Sequence, residues 1–207
     1  MDKRAFVPAA DIRRLAKDVQ GTRTWMKRES AERSRTKMQL IPCALVRRDD
    51  LYLALRRTRQ TRDDLRSRVS LLSGGHIDFD PEPRSLQDLL ERTLRRELAE
   101  ELGVRSIEEM WPIGAVVDHS SLKASRHVAF VFEVVIADAV EAQAGEEFSL
   151  TSSFSGTFLS WPRLLNFEPR FDPWSRIISQ EYFGREMKSL LGLDEARSRQ
   201  LSLQLGV

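Results

Sequence analysis

Three glutamates, Glu97, Glu100 and Glu101, fall within the short stretch Arg95-Arg96-Glu97-Leu98-Ala99-Glu100-Glu101-Leu102-Gly103-Val104. On a helix they stand at i, i+3 and i+4, so the three carboxylates share one face. Like charges at that spacing repel by roughly 0.2–0.5 kcal/mol per pair. Glu100 and Glu101 also occupy the last turn before Gly103, where the negative end of the helix dipole disfavours acids by roughly 0.3–1 kcal/mol each. Local rules would place Lys or Arg there, and a functional site is one reason for a sequence to break them. A hard divalent cation reverses the sign of the arrangement. Mg²⁺ takes a few carboxylates plus water and substrate phosphates, and oxygen donors without Cys or His favour Mg²⁺ or Mn²⁺ over zinc. The plainer alternative is an exposed acidic helix end with Arg95 and Arg96 as partners.

The glutamates need a helix to align them and a sheet to hold that helix. Leu86 to Leu102 has the apolar spacing of a helix, with Ser85 as its N-cap and Gly103 as its stop. Before it, 39–48 reads as a buried strand, Asp49-Asp50 as a hairpin turn and 51–58 as the returning strand. Residues 59–68 read as a charged loop, 69–78 as a short strand ending in a glycine pair, and 79–84 as a proline-broken loop. After the helix, 110–120 and 126–137 read as paired strands, 141–153 as loop, 155–161 as a last strand and 173–183 as a helix. Strands on both sides of one strong helix predict a mixed α/β domain over residues 38–190, with 191–207 as a tail.

The 207 residues are 41% hydrophobic, enough to bury a core of ordinary size. The 33 basic and 31 acidic side chains leave a net charge of +2, which speaks against a wholly cationic nucleic-acid binder and an acidic disordered chain. Only 6 of the cations are lysine, an arginine bias that suits bidentate contacts to carboxylate or phosphate and that GC-rich coding also produces. The single cysteine, Cys43, excludes an internal disulfide and a four-cysteine zinc site, and its apolar neighbours predict burial. No apolar run follows the charged start, and the longest, 128–137, is too short to span a bilayer, so a cytoplasmic protein without a membrane partner is expected. Residues 1–37 carry eleven Lys/Arg against five acids and read as a basic N-terminal extension, with a helix over 9–19 and mostly loop after it.

The stretch Arg96-Glu97-Leu98-Ala99-Glu100-Glu101-Leu102-Gly103-Val104 resembles the second half of the Nudix box, Arg-Glu-U-x-Glu-Glu-x-Gly-U, where U is a bulky aliphatic residue. The first half departs from that pattern. Asp88 stands where the family has Glu, and the matching glycine, Gly75 of Ser73-Gly74-Gly75-His76-Ile77-Asp78, lies 21 positions before Arg96 where the box has 14. A loop about seven residues longer is a small entropic cost. Lys37-Met38-Gln39-Leu40-Ile41-Pro42 and the Gly-Gly-His-Ile-Asp opening match a subgroup of the family, and the resemblance spans residues 38–165.

The resemblance implies a Nudix-type α/β/α sandwich around a mixed β-sheet. It also implies metal-dependent hydrolysis of a diphosphate bond in a nucleoside diphosphate linked to another group, by water attack on phosphorus. Matched by position, Glu97, Glu100, Glu101 and the Gly75 carbonyl would hold Mg²⁺ or Mn²⁺. Glu97, Glu100 and Arg96 would form the catalytic set, with Glu97 a candidate base and Arg96 bracing the glutamates and the loop. Asp88 would share that bracing. Arg57, His76 and Glu147 are the candidates for substrate contact, and Glu146 or Glu147, in a loop after the helix, is also a candidate for the base or a last metal ligand.

The partner implied is a small phosphoanhydride, a nucleotide in the leading reading, and a homodimer is permitted. A rival from another class is a Nudix-fold sensor that binds a nucleotide or ADP-ribose without cleaving it. Such proteins usually lose a box glutamate, and all three remain here. An RNA-binding role for residues 1–37 is a third reading, with salt-sensitive affinity as its mark. Trp111, Trp161 and Trp174 read as core. Trp25 lies in the polar N-terminal segment, where stacking on a base is a further option.

Overall fold

The computed structural model describes residues 4–34, 36–57, 68–82, 85–121, 124–137, 145–150 and 154–185. Along the chain the elements are β1 (Arg4–Pro8), α1 (Ala9–Thr22), α2 (Arg28–Arg33), β2 (Gln39–Arg48), β3 (Leu51–Arg57), β4 (Val69–Ser70), β5 (Leu72–Gly74) and α3 (Leu86–Leu102). They continue with β6 (Ile107–Asp118), β7 (His127–Ile136), β8 (Glu147–Ser149), β9 (Phe154–Ser160), α4 (Trp161–Leu164) and α5 (Pro173–Ile177), which runs on into a wider turn over Ile178–Phe183. The sheet order is β1-β6-β7-β2-β3-β9-β8, with β4 on β3 and β5 on β2. β2 and β7 are parallel, from Gln39 opposite His127 to Arg47 opposite Val135. The other pairings are antiparallel, so the sheet is mixed.

The central strands are apolar at both parities because both sheet faces are covered. Ala44, Val46, Phe130, Phe132 and Val134 face one way and pack with Leu86, Leu90, Leu94, Leu98 and Leu102, the stripe that four-residue spacing creates on α3. Ile41, Cys43, Leu45, Ala129 and Val131 face the other way and pack with Leu164, Phe171, Ile177, Ile178 and Phe183. The result is an α/β/α sandwich. Trp111, Trp161 and Trp174 are partly buried against this second core, in line with their sequence reading.

α3 begins and ends as its sequence predicts. The Ser85 Oγ accepts from the Asp88 amide at 3.1 Å, and Gly103 closes the helix at φ 70°. A Gly103 Cβ would meet nothing within 4 Å, so only the left-handed backbone opposes a side chain. Gly103→Ala is therefore expected to lower stability by about 1 kcal/mol in a denaturant titration, with no change in packing.

A buried carboxylate outside the acidic cluster links three elements. Glu133 on β7, its side chain 5% exposed, accepts from Arg47 Nε at 2.7 Å and from the Tyr182 hydroxyl at 2.7 Å. The triad ties β2 and β7 to the turn that follows α5.

The structure corrects four sequence expectations. Residues 4–8 are not part of an appended extension: β1 is the outer strand of the sheet, paired with β6 from Arg4 opposite Asp118 to Pro8 opposite Gly114. The predicted N-terminal helix is α1, and Val19 packs against the first core, but the loop expected after it contains the short helix α2. Glu147–Ser149, expected as loop, form β8 on β9. Trp161 opens α4 instead of ending a strand. Among the described residues no helix is long and apolar enough to cross a membrane. The expected tail 191–207 and most of the charged loop 59–68 lie outside the described residues.

Candidate active site

The site is built where β5 leaves the sheet beneath α3. β5 pairs with β2, Cys43 opposite Gly74 and Ala44 opposite Ser73. The strands meet so closely that a Cβ on Gly74 would stand 2.0 Å from the Pro42 carbonyl oxygen. Gly75 comes next, and the space its side chain would fill holds a carboxylate. A Cβ there would lie 2.2 Å from Glu97 Cδ and 2.3 and 2.4 Å from its two oxygens. The loop glycine and the helical glutamate, far apart in sequence, are thus packed directly together.

Glu101, one turn further along α3, takes a hydrogen bond from Ser73 Oγ at 3.1 Å. Glu97 and Glu101 therefore both meet the end of β5. Their charge extends into the second core: burial first, then Asp172, Glu101 and Glu97, push the Cys43 thiol far above its ordinary range, so it stays protonated. Glu100 behaves differently. Its side chain is 61% exposed, against 13% for Glu97, and it is engaged by Arg96.

Arg96 is the hub. Nη1 donates to Glu100 Oε2 at 3.0 Å, and Nη2 donates to the His76 carbonyl oxygen at 3.0 Å. Nη2 also stands 2.8 Å from Glu97 Oε1 and 3.1 Å from Asp78 Oδ2. Burial alone would lower the guanidinium pKa, but Glu97, Asp78 and Glu100 outweigh it and raise it. The loop carboxylate that meets Arg96 is Asp78. Asp88, which counting along the sequence suggested for that role, is exposed in the first turn of α3.

The N-terminal segment reaches the same loop. The Leu86 amide, first in α3, donates to Gln20 Oε1 at 3.1 Å. Trp25 meets Phe79 edge to face, with ring centroids 5.4 Å apart. Arg28 donates to Glu32 at 3.0 Å, and Arg126 Nη1 donates to the Glu32 carbonyl oxygen. The His76 ring lies 6.2 Å from that of His127, whose Nε2 is 3.3 Å from Gln39 Nε2. Burial lowers the His76 pKa first, and Arg28 and His127 lower it further against Glu32 and Asp78. His76 Nε2 is buried without a hydrogen-bond partner among the described residues.

The predicted residues do not all assemble. Glu97, Glu100, Glu101, Gly75, Arg96 and His76 belong to one group. Glu147 lies on β8, where Ser155 Oγ donates to it at 2.6 Å and Arg56 stands 3.7 Å away. Arg57 ends β3, and its side chain lies outside what the structure describes. Among the described residues, no three His, Cys, Asp or Glu side chains are already gathered as a metal-ion site, and Arg96 engages both Glu97 and Glu100. The donors still suit a hard divalent cation in kind: Glu97 and Glu101 converge on one end of β5, and the bare Gly75 backbone admits close approach. Sequence reasoning missed Ser73, Asp78 and the N-terminal contacts. The signal for Asp78 was its place in the Gly-Gly-His-Ile-Asp run, three residues past Gly75.

No protein-family model matches the sequence, and no curated protein matches it significantly. Solved structures do match the fold. Tm1382, described as a candidate Nudix hydrolase, aligns over 86% of this chain and 87% of its own, with TM-score 0.66 and 19% identity. A mutT/nudix family protein from Listeria innocua aligns over 76% of this chain and 99% of its own, with TM-score 0.52 and 14% identity. The fold is the Nudix-type sandwich.

Proposed function

We propose that the chain hydrolyses a diphosphate bond in a nucleotide-like small molecule, with Mg²⁺ or Mn²⁺ held between the end of β5 and the last turns of α3. The observation that carries this reading is the Gly75–Glu97 packing, which brings a carboxylate against backbone that only glycine leaves open. Glu97, Glu101 and the Gly75 carbonyl would hold the cation, with Glu100 as the exposed third carboxylate. When bound, a divalent cation offsets phosphate charge and lowers the pKa of water.

The chain's own part follows from the contacts above. Glu97, shielded and held by Arg96, accepts the proton of the attacking water. Arg96 keeps Glu97 and the His76 carbonyl in register, so helix and loop move as one. His76 supports the loop through that carbonyl and keeps substrate contact as its assignment. Arg57 and Glu147 retain substrate contact as their assignment, although the contacts of Glu147 lie within the sheet.

The test is a hydrolysis screen over nucleotides, nucleotide sugars, dinucleoside polyphosphates and NAD-type compounds, with and without Mg²⁺ or Mn²⁺. Glu101→Gln is expected to lower turnover by about 100-fold or more while circular dichroism stays unchanged. Full activity in that variant rejects the ligand assignment. Binding of ADP-ribose or a nucleotide with no turnover of any compound would instead support the sensor reading, which the three retained glutamates disfavour.

A further inference from the structure

Two large aromatic side chains beside the site face water. Trp25 is 43% exposed and Phe79 69%, and they touch only edge to face, with 79° between their planes. In such a pair one ring presents its edge to a face of the other, so contact uses one of the four ring faces. The exposed parts of the two rings thus present aromatic surface at a near-right angle to a planar group.

The corner is tied to the candidate active site from both strands of chain that make it. Phe79 follows Asp78, which stands 3.1 Å from Arg96, itself 2.8 Å from Glu97. Trp25 lies between Gln20, which holds the start of α3, and Arg28, whose charge is felt by His76. Between residues 19 and 28 the chain carries Arg23, Lys27 and Arg28 and no acid. Phe79 lies between Asp78 and Asp80, which Arg96 and Arg92 meet at 3.1 and 3.6 Å; with those acids offset, aromatic rings joined to a cationic segment suit a ligand that is both planar and anionic. A purely apolar partner would gain nothing from these charges.

We propose that Trp25 and Phe79 form a stacking corner for the heteroaromatic base of a nucleoside diphosphate whose phosphates extend toward Glu97 and Glu101. The proposal rests on the hydrolase reading for the direction of the phosphates, but base stacking can be measured without cleavage. It assigns specificity to the N-terminal segment and the glycine loop jointly, since each supplies one ring.

The full-length protein is titrated calorimetrically with the α,β-methylene analogues of ADP, GDP, CDP and UDP, which cannot be cut at that linkage. Methylenediphosphonate serves as the probe without a base. At least one base-bearing analogue is expected to bind more tightly than methylenediphosphonate. Trp25→Ala and Phe79→Ala should each weaken it about tenfold or more, the range of base–aromatic stacking. Methylenediphosphonate binding should stay unchanged, Phe79→Tyr should retain affinity, and quenching of indole fluorescence should disappear in Trp25→Phe. Both alanine changes fall on exposed rings, and circular dichroism verifies the fold.

The proposal is overturned if no base-bearing analogue outbinds methylenediphosphonate, or if both alanine variants bind all four analogues as the unaltered protein does. It is also overturned if the variants lose base-bearing and base-free ligands equally, because the rings would then only pin the two segments together. Failure of the hydrolase reading appears separately, as ring-dependent binding in a protein that cleaves no compound of the screen.

Discussion

Gly75→Ala protein will fold and melt like the unaltered protein but, on the proposed function, hydrolyse a diphosphate compound about 100-fold more slowly or worse, the loss that a displacement near 1 Å can cause. The added methyl would lie 2.2 Å from Glu97 Cδ, so the carboxylate must move. The carboxylate is the far end of a flexible side chain, 13% exposed and 2.8 Å from Arg96, so it can shift at small cost to the fold. Swinging it aside separates it from the guanidinium and from the backbone where the proposed cation would sit. Global stability should change little, because the displaced group lies at the rim of the core. Steady-state kcat and a thermal melt on the same preparation check both halves. The companion change Glu97→Asp, which withdraws the carboxylate by one methylene, should not restore rate to Gly75→Ala if position is what matters. Unaltered kcat in Gly75→Ala would remove the observation on which the proposed function stands.

The largest effect on stability is expected at Glu133, remote from that chemistry. Glu133→Ala leaves the Arg47 guanidinium partly buried without its carboxylate and the Tyr182 hydroxyl without its acceptor. Breaking one side of a buried ion pair costs about 3–5 kcal/mol. At this chain length that corresponds to a fall in Tm of roughly 10 °C. The penalty comes from the stranded partner, so Arg47→Met combined with Glu133→Leu should recover most of it. Calorimetric melts of the single and double variants give the answer. A single variant melting within about 2 °C of the parent would mean that water reaches and solvates Arg47.

Much of this architecture is written locally in the chain, and the exceptions share a cause. α3 is legible because its leucines recur every fourth residue between a serine cap and a terminal glycine. β2 and β7 are legible because burial on both faces leaves nearly continuous apolar runs. β1 is five residues long inside a strongly cationic segment, and its strand character comes only from β6 lying beside it. β8, three residues long, likewise exists by virtue of β9. The same holds within the site. The common face of Glu97, Glu100 and Glu101 follows from helical periodicity, whereas the choice of Asp78 as the partner of Arg96 depends on how the loop folds back. The path of residues 20–32 across that loop is a tertiary event, and no short-range pattern announces that Trp25 meets Phe79.

The fourfold engagement of Arg96 has a consequence for how the acidic corner is filled and emptied. Repulsion among the glutamates is already offset by a counter-ion that is part of the polypeptide, so folding does not wait for one from solution. A small cation entering the corner would share Glu97 and Glu100 with that guanidinium, which meets Oε1 of the first and Oε2 of the second. If the proposed cation binds there, removing it with a chelator is expected to leave the scaffold folded, since Arg96 still meets Glu97 and Glu100.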